Sequence, residues 1–254
     1  MAAESLHAVI LAAGLGQRLW PLTRDTPKPL IDLGEGRTIL GSQLHVLEGA
    51  DPVGDVTIVT GHLSSQIDAF VASRAVDSTH TRFNPFFHLA GPLGSIWAVR
   101  DIVMGSDCLL ANGDTVFEPE LLSVVLERSV GDGIFLVGSR CEALAPDDVG
   151  VDCAGTLIER VGKGLEGAQA RSSGILVITG AGARERAVAH LDQIVRDGEA
   201  LSAPWHGWVH HMATRGVDVE FIAVDEGLWT EVDLHPELDD LRAELASQLR
   251  RGAP

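Results

Sequence analysis

The sequence predicts an α/β sandwich built on a mostly parallel mixed sheet, with a small antiparallel excursion. Short apolar runs of strand length, such as HAVILAA at 7–13 and DVTIVTG at 55–61, alternate with stretches in which apolar residues recur at helical spacing. No internal repeat, heptad run or low-complexity linker interrupts this alternation over the 254 residues. We therefore expect one domain covering residues 1–254.

In the first half of the chain, predicted strands and helices follow each other regularly. Thr38 is a candidate N-cap, because its hydroxyl can accept a hydrogen bond from a free N–H of the first helical turn. The strands are expected at 7–13, 55–61, a short segment ending near Asn84, and 107–114; the helices are expected at 38–49, about 63–75 and 94–103.

The second half begins with a helix at 119–129 and a strand at 133–139. Strands at 156–163 and 173–180 are expected to form the antiparallel excursion, within residues 148–180. The remaining predicted elements are helices at about 182–196 and 204–214, a strand at 217–224, the segment LWTEVD at 228–233 and a C-terminal helix at 236–251.

Charge and cysteine content restrict the function. The chain has 19 basic and 36 acidic residues, a net charge of −17, which argues against nucleic acid or an anionic membrane as a partner, since both need basic patches. Three cysteines, an odd number without CxxC spacing, favour a reducing, cytoplasmic setting. The N-terminus has no basic leader and no apolar run long enough for a signal or membrane segment.

The most specific motif follows the first predicted strand, where residues 14–30 read GLGQRLWPLTRDTPKPL. Glycines let the backbone approach a ligand closely, and Arg18 and Lys28 add two cations, which together form a cradle for phosphate groups. On so acidic a body this pocket is expected to be locally positive. The motif is neither a Walker loop nor a complete GxGxxG dinucleotide fingerprint.

This window resembles the signature GxGxRxxPxTxxxPKPL of the nucleotidyltransferases that make activated sugars and alcohols. The resemblance implies a Rossmann-like three-layer fold of the nucleotide-diphospho-sugar transferase type, with a nucleotide-binding half at about 1–115 and an acceptor-binding half at about 116–254. It implies attack of an acceptor oxyanion on the α-phosphorus of a nucleoside triphosphate, with pyrophosphate leaving. The nucleotide-binding candidates are Leu11, Ala12, Ala13, Gly14, Gly16, Arg18, Lys28, Gly91, Pro92, Ser95 and Asn112.

The lysine content points to a second functional cation. The chain has two lysines, Lys28 in the signature and Lys163 in LIERVGKGL, which resembles the family's ExxxxGK strand with an acceptor-side lysine. Lysine is a compact point charge that suits a single phosphoryl oxygen. Arg18, Lys28 and Lys163 are therefore the catalytic candidates.

Two carboxylates are placed to share a metal ion. Asp114 ends the apolar strand LLANGD and Asp233 ends LWTEVD, and two strand-end carboxylates at one sheet edge suit Mg²⁺. The family resemblance, through its GD strand end and W-x-E-[IV]-D motif, implies that both aspartates bind Mg²⁺. Glu231 lies on the same strand face as Asp233 and is a candidate supporting group.

The family resemblance implies that the segment 83–100 sets specificity. FNPFF and Ser95-Ile96-Trp97 resemble the cytidylyltransferases that act on phosphocholine, inositol phosphate and small phosphonates, whereas Gly-Pro-Leu-Gly at 91–94 resembles sugar-1-phosphate enzymes. Cytosine is preferred, so CTP and a small phosphorylated or phosphonate alcohol are the expected substrates. The acceptor-binding candidates are Asn84, Phe86, Phe87, Asp114, Lys163 and Arg171, and Phe86, Phe87 and Trp97 could cage a quaternary ammonium.

Alternatives stay open at this point. The enzyme could be a sugar-1-phosphate transferase using UTP, dTTP or GTP, or the chain could be a non-catalytic nucleotide-binding regulator; a homodimer is one possible assembly. His206 and His210 have the i, i+4 spacing of zinc ligands. With the apolar residues around them they are interpreted as part of a packed amphipathic helix.

Overall fold

The computed structural model describes residues 5–197, 204–233 and 235–252. Its strands are β1 (Leu6–Ala12), β2 (Asp32–Gly34), β3 (Arg37–Thr38), β4 (Val53–Thr60), β5 (Thr79–Phe83), β6 (Cys108–Asn112), β7 (Thr115–Phe117), β8 (Gly133–Arg140), β9 (Val149–Ala154), β10 (Leu157–Lys163), β11 (Ala170–Thr179), β12 (Glu220–Ala223) and β13 (Trp229–Glu231).

The α-helices are α1 (Ile39–Glu48), α2 (Ser64–Arg74), α3 (Pro92–Ala98), α4 (Arg100–Gly105), α5 (Pro119–Arg128), α6 (Ala181–Arg196), α7 (His206–Ala213) and α8 (His235–Gly252). Short 3₁₀ turns occur at Gln17–Leu19, Lys28–Leu30 and Glu226–Leu228. The predicted N-cap of α1 is present, since the Thr38 hydroxyl accepts a hydrogen bond from the Gly41 N–H at 3.0 Å.

One nine-stranded sheet organises the molecule, in the order β5-β4-β1-β6-β11-β8-β12-β10-β9, with β9 also pairing with β11. Strands β5, β4, β1 and β6 are mutually parallel, and β12 is parallel to β8. In the part of the chain that the structure describes, β10 and β11 are the two strands that run antiparallel to the rest of this sheet. The mostly parallel mixed sheet and the antiparallel excursion at β9–β11 are thereby confirmed.

Helices cover both faces of the sheet and make three layers. Leu44 of α1, Ile67 of α2 and Leu121 of α5 are buried together on one face. The opposite core holds side chains of α3, α4, α6 and α7, including Leu191 and Trp208. Buried apolar faces of helices against a sheet provide the main driving force for this arrangement.

A third core places the C-terminal helix against the signature segment. Leu19 and Leu33 are buried with Leu238 of α8, and the Arg242 guanidinium donates hydrogen bonds to the Asp32 carbonyl at 2.6 and 3.0 Å. Helix α8 therefore supports the loop that follows β1.

Two predicted elements are divided in the structure. The helix expected at 94–103 is broken at Val99, where φ is −115° and ψ is 16°, so α3 and α4 are separate. The strand expected at 107–114 turns after Asn112 because the Gly113 N–H bonds to the Leu11 carbonyl at 3.0 Å. That turn separates β6 from β7. Strands β2, β3, β7 and β9 were not predicted, and β7 begins only after the predicted strand at 107–114 has ended. Among the described residues, no helix has the length and apolarity needed to cross a bilayer.

Candidate active site

The signature segment folds back on itself directly after β1. Gly16 has a left-handed backbone (φ 62°), and its carbonyl accepts a hydrogen bond from the Thr23 hydroxyl at 2.8 Å. A Cβ at Gly16 would lie 2.9 Å from Cγ2 of Thr23 and 3.1 Å from Cβ of Lys28. Glycine is therefore required here both for the backbone conformation and for the close approach of Lys28.

Strand pairing brings the two predicted metal-binding carboxylates together. β13 pairs with β7, and the Val232 N–H bonds to the Asp114 carbonyl at 3.0 Å. Nζ of Lys28 then lies 2.7 Å from Oδ2 of Asp114 and 2.5 Å from Oδ1 of Asp233. Burial alone lowers the pKa of Lys28, but the two carboxylates outweigh burial and raise it overall. The lysine is thus fully charged and held between two anions.

The other two predicted cations meet at a single carboxylate. Arg18 pairs with Asp233 at 2.8 Å and with Asp147 at 3.3 Å, and Lys163 lies 3.5 Å from Asp147. Asp147 therefore connects the signature loop to the end of β10. It was not predicted, because it belongs to the segment between β8 and β9 and no motif marks it.

A third carboxyl group lies close to the pair. Burial raises the pKa of Glu231 to about 8, with further contributions from the charges of Asp114 and Asp233. The raised pKa means that the Glu231 carboxyl group holds its proton at neutral pH when no metal ion is bound.

The residues present fit a hard divalent cation. Oδ1 of Asp114 is buried without a hydrogen-bond partner, while its Oδ2 is held by Lys28. Within the described residues no group of three or more His, Cys, Asp or Glu side chains is arranged to hold a metal by itself. Mg²⁺ commonly takes only one or two carboxylates together with substrate phosphates, so Asp114 and Asp233 are the residues that would hold it.

These groups border two neighbouring cavities of about 400 Å³ and about 340 Å³. The two cavities share several lining residues, among them Arg18, Asp114 and Asp233. The candidate residues that line one or both are Leu11, Ala12, Ala13, Gly14, Gly16, Arg18, Lys28, Phe87, Gly91, Pro92, Ser95, Asn112, Asp114, Lys163 and Asp233. Every nucleotide-binding candidate is among them. Their binding roles stay predictions; what the structure shows is that they lie around one space.

Asn84 acts behind the cavity wall and does not line it. Its side-chain amide donates to the Ser95 hydroxyl at 3.1 Å, and its Oδ1 accepts the Phe86 N–H at 2.9 Å. Since Ser95 accepts this bond, its own hydroxyl hydrogen stays available to a ligand in the cavity. Asn84 therefore positions a cavity residue, which differs from the direct acceptor contact that we expected.

The candidate aromatic cage does not assemble. Phe86 is 57% exposed and lies outside the cavity lining. Trp97 is covered by the Arg100 guanidinium at 3.8 Å, and its indole N–H donates to Asp192 at 3.2 Å. Phe87 alone of the three proposed cage residues reaches the cavity.

Arg171 also lies off the cavity. Its guanidinium lies over the Trp229 ring at 4.5 Å and pairs with Glu226 at 3.3 Å and Asp148 at 3.6 Å. These partners hold the side chain away from the expected acceptor site.

The cavity wall contains two aromatic residues that the sequence analysis did not assign to the site. Trp205 and His206 stack with ring centroids 3.9 Å apart, and the Trp205 indole donates to Oδ1 of Asn112 at 2.8 Å. Helix α7 is packed as expected, with Trp208 and Val209 buried. Its first residue nevertheless faces the cavity. The Ala-Pro-Trp sequence before the helix was the available signal.

Comparison with known proteins identifies the family. Residues 8–147 match the MobA-like NTP transferase domain, and the chain belongs to that family. A solved structure of the inositol-1-phosphate CTP transferase from T. maritima shares the fold with a TM-score of 0.78 and 19% identity over the whole of both chains. The predicted Rossmann-like nucleotidyltransferase fold and family resemblance are confirmed.

Two curated relatives bear on the substrates. The CMP-5'-(3-aminopropyl)phosphonate synthase of Streptomyces rubellomurinus is 29% identical over 252 residues, covering 91% of this chain and 37% of that protein. The N-acetylmuramate alpha-1-phosphate uridylyltransferase of Neisseria meningitidis is 34% identical over 116 residues, covering 44% of this chain and 48% of that protein. The chain thus spans less than half the length of these two relatives.

Proposed function

We propose that this chain is a Mg²⁺-dependent cytidylyltransferase that transfers CMP from CTP to a small phosphonate or phosphorylated alcohol and releases pyrophosphate. The observation that carries the proposal is the meeting of Arg18, Lys28 and Lys163 with Asp114 and Asp233 around one cavity. Cations for two anionic reactants and ligands for one metal ion are what nucleotidyl transfer requires.

The reaction needs positioning and charge neutralisation and no covalent enzyme intermediate. An oxygen of the acceptor attacks the α-phosphorus in line, and the bond from the α-phosphorus to the bridging oxygen breaks as pyrophosphate departs. Lys28 is assigned to the α-phosphate and Arg18 to the departing phosphates. Lys163, on the far wall, is assigned to the acceptor oxyanion.

Mg²⁺ bound by Asp114 and Asp233 would neutralise phosphate charge and help align the two reactants. Arg18 of the signature loop pairs with Asp233 at 2.8 Å, so this proposed metal ligand also holds the loop in place. This connection fixes the orientation of the cations relative to the reacting phosphate.

The wall around Ser95 offers a hydrogen-bond donor to a pyrimidine base, and the preference for cytosine rests on the relative that is named for CMP transfer. The side chain of Asn84 holds the Ser95 hydroxyl at 3.1 Å, which leaves a hydroxyl hydrogen for an acceptor such as O2 or N3 of cytosine. The relative named as a CMP-phosphonate synthase, which aligns with 91% of this chain, supports both CMP transfer and a phosphonate acceptor.

A sugar-1-phosphate nucleotidyltransferase is the second candidate. The Gly91–Pro92 turn lines the cavity, and the sequence at 91–94 resembles sugar-1-phosphate enzymes. The uridylyltransferase relative of Neisseria meningitidis supports this alternative.

Pyrophosphate release with Mg²⁺ distinguishes the two. CTP, UTP, dTTP, GTP and ATP would be tested against 2-hydroxyethylphosphonate, phosphocholine, inositol phosphate and glucose-1-phosphate. Turnover with CTP and a phosphonate or phosphoalcohol is expected, whereas turnover with UTP or dTTP and only the sugar phosphate would establish the second candidate.

Lys163→Ala tests the acceptor assignment. We expect a higher KM for the acceptor and an unchanged KM for CTP. Arg160→Ala is the matched control, since Arg160 lies on the same strand but pairs with Asp152 at 2.6 Å, away from the cavity. Equal effects of both substitutions would contradict the assignment.

A further inference from the structure

His206 is a buried imidazole at the edge of the candidate acceptor site. It is 5% exposed, lines the cavity together with Lys163, and forms the first residue of α7. Stacking on Trp205 fixes the ring plane, and the Trp205 indole is itself fixed by Asn112 at 2.8 Å. The ring is therefore preorganised by its neighbours.

The hydrogen-bond network assigns the tautomer of this imidazole. Oγ of Ser172 accepts the Gly174 N–H at 3.1 Å and lies 2.9 Å from Nε2 of His206. The Ser172 hydroxyl hydrogen needs an acceptor, and among the described residues Nε2 is the one it reaches. Nε2 therefore accepts, and the proton of the neutral ring is on Nδ1.

Nδ1 of His206 has no hydrogen-bond partner among the described residues. It is also not sealed in the core, in contrast to Nδ1 of His190, which is fully buried without a partner. The cavity is the open space beside the His206 ring. The ring thus presents one N–H donor of fixed position to a ligand.

The neighbouring charge favours a neutral donor over a second cation. Burial, together with a smaller contribution from the ammonium group of Lys163, lowers the pKa of His206 to about 3. A neutral imidazole N–H and a lysine ammonium at the same wall can both donate to the oxygens of one phosphoryl group.

We propose that His206 is an acceptor-binding residue whose Nδ1–H donates a hydrogen bond to the phosphonate or phosphate oxyanion of the acceptor, beside Lys163. The assignment rests on the proposed function for the identity of the acceptor. It gives Ser172 a positioning role, because Ser172 determines which ring nitrogen carries the proton.

Two substitutions separate this role from a structural one. In His206→Asn the amide N–H can take the place of the Nδ1–H, while the contact to Ser172 is lost. In His206→Gln the longer side chain can still reach Ser172, but it no longer presents a donor to the cavity. We expect His206→Ala and His206→Gln to raise the acceptor KM about 10- to 100-fold, the usual effect of losing a hydrogen bond to a charged group, with little change for CTP. His206→Asn should retain most of the acceptor affinity.

His211→Gln and His211→Asn are the matched controls, since His211 is a buried histidine on the same helix that does not line the cavity. Both should leave the acceptor KM unchanged. The assignment is overturned if His206→Gln retains acceptor affinity while His206→Asn loses it, if Asn is no better than Ala, or if no variant changes the acceptor KM.

A binding measurement separates failure of this inference from failure of the proposed function. Calorimetric titration with methylphosphonate, in the presence of CMP and Mg²⁺, should give the same order of affinities for the His206 variants without turnover. Weaker binding in His206→Gln but not in His206→Asn, in a protein that turns over none of the tested pairs, would support the inference and reject the cytidylyltransferase assignment. Equal binding in every variant would reject the inference even if the wild type is active.

Discussion

Glu231→Gln should make the metal-free protein more stable, and by an amount that depends on pH. The pKa of Glu231 is raised from 4.5 to about 8, first by burial and then by the charges of Asp114 and Asp233. Between these two values the folded state holds a proton that the unfolded state has released, so the free energy of unfolding falls as pH rises. One pKa unit corresponds to about 1.4 kcal/mol, so the carboxyl group costs about 1 kcal/mol at pH 5.5 and about 3 kcal/mol at pH 7.

Glutamine removes this titration and keeps an oxygen for the hydrogen bond with Asn112. Urea denaturation of both proteins at pH 5.5, 6.25 and 7 in EDTA gives the free energies directly. Glu220→Gln, on an exposed position of β12, is the control and should change stability by less than about 0.5 kcal/mol. A stability difference between Glu231→Gln and the wild type that does not grow with pH would refute this reasoning.

Three further substitutions test other contacts. Lys28→Met should abolish turnover and lower the free energy of unfolding in EDTA by about 3 kcal/mol, because it leaves the partly buried Asp114 without a cation and Asp233 with Arg18 alone; unchanged urea midpoints would contradict this. Asp147→Asn should lower the acceptor KM by up to about fivefold, since this exposed carboxylate competes with substrate for Arg18 and Lys163, whereas a raised KM would show that it assists binding. Gly174→Ala should destabilise the protein and weaken CTP binding, because Gly174 has φ 74° and a Cβ there would collide with the Asn112 side chain; thermal unfolding and calorimetry would show this.

The sequence predicts the site best where local motifs and sheet geometry agree. Gly16, Arg18 and Lys28 lie within one short window, so their closeness follows from the loop after β1. Asp114 and Asp233 are 119 residues apart, and they were expected at the ends of two strands at one sheet edge. They do meet, but because Asp114 lies just before β7 and Asp233 just after β13, and these two strands pair antiparallel in a separate two-stranded sheet.

Prediction fails where a side chain's direction depends on long-range packing. His206 reaches the cavity only because α7 packs against β10 and α6, which brings its first residue to Ser172 of β11. An amphipathic pattern predicts which face of a helix is buried, but not which residues that face contacts. Arg171 illustrates the converse: it precedes the predicted strand at 173–180, which suggests exposure to a ligand, but it lies inside β11, and its guanidinium contacts Trp229 and Glu226. The face of the Trp97 ring is likewise covered by the Arg100 guanidinium and is not open to a ligand.

The charge balance of the cavity bears on how a nucleotide can enter it. The expected locally positive pocket is not found among the described lining residues, which include three cations, Arg18, Lys28 and Lys163, and four carboxyl groups, Asp114, Asp147, Glu231 and Asp233.

Each of the three cations is already paired with a carboxylate, so a polyanionic nucleotide must arrive with counter-charge or displace those pairs. CTP should therefore bind at least about tenfold more weakly in EDTA than with Mg²⁺, since Mg²⁺ binds through substrate phosphates and protein carboxylates together. Calorimetric titration under both conditions measures this difference. Equal affinities would mean that the protein cations alone neutralise the nucleotide, and that Asp114 and Asp233 serve to hold Lys28 and not a metal ion.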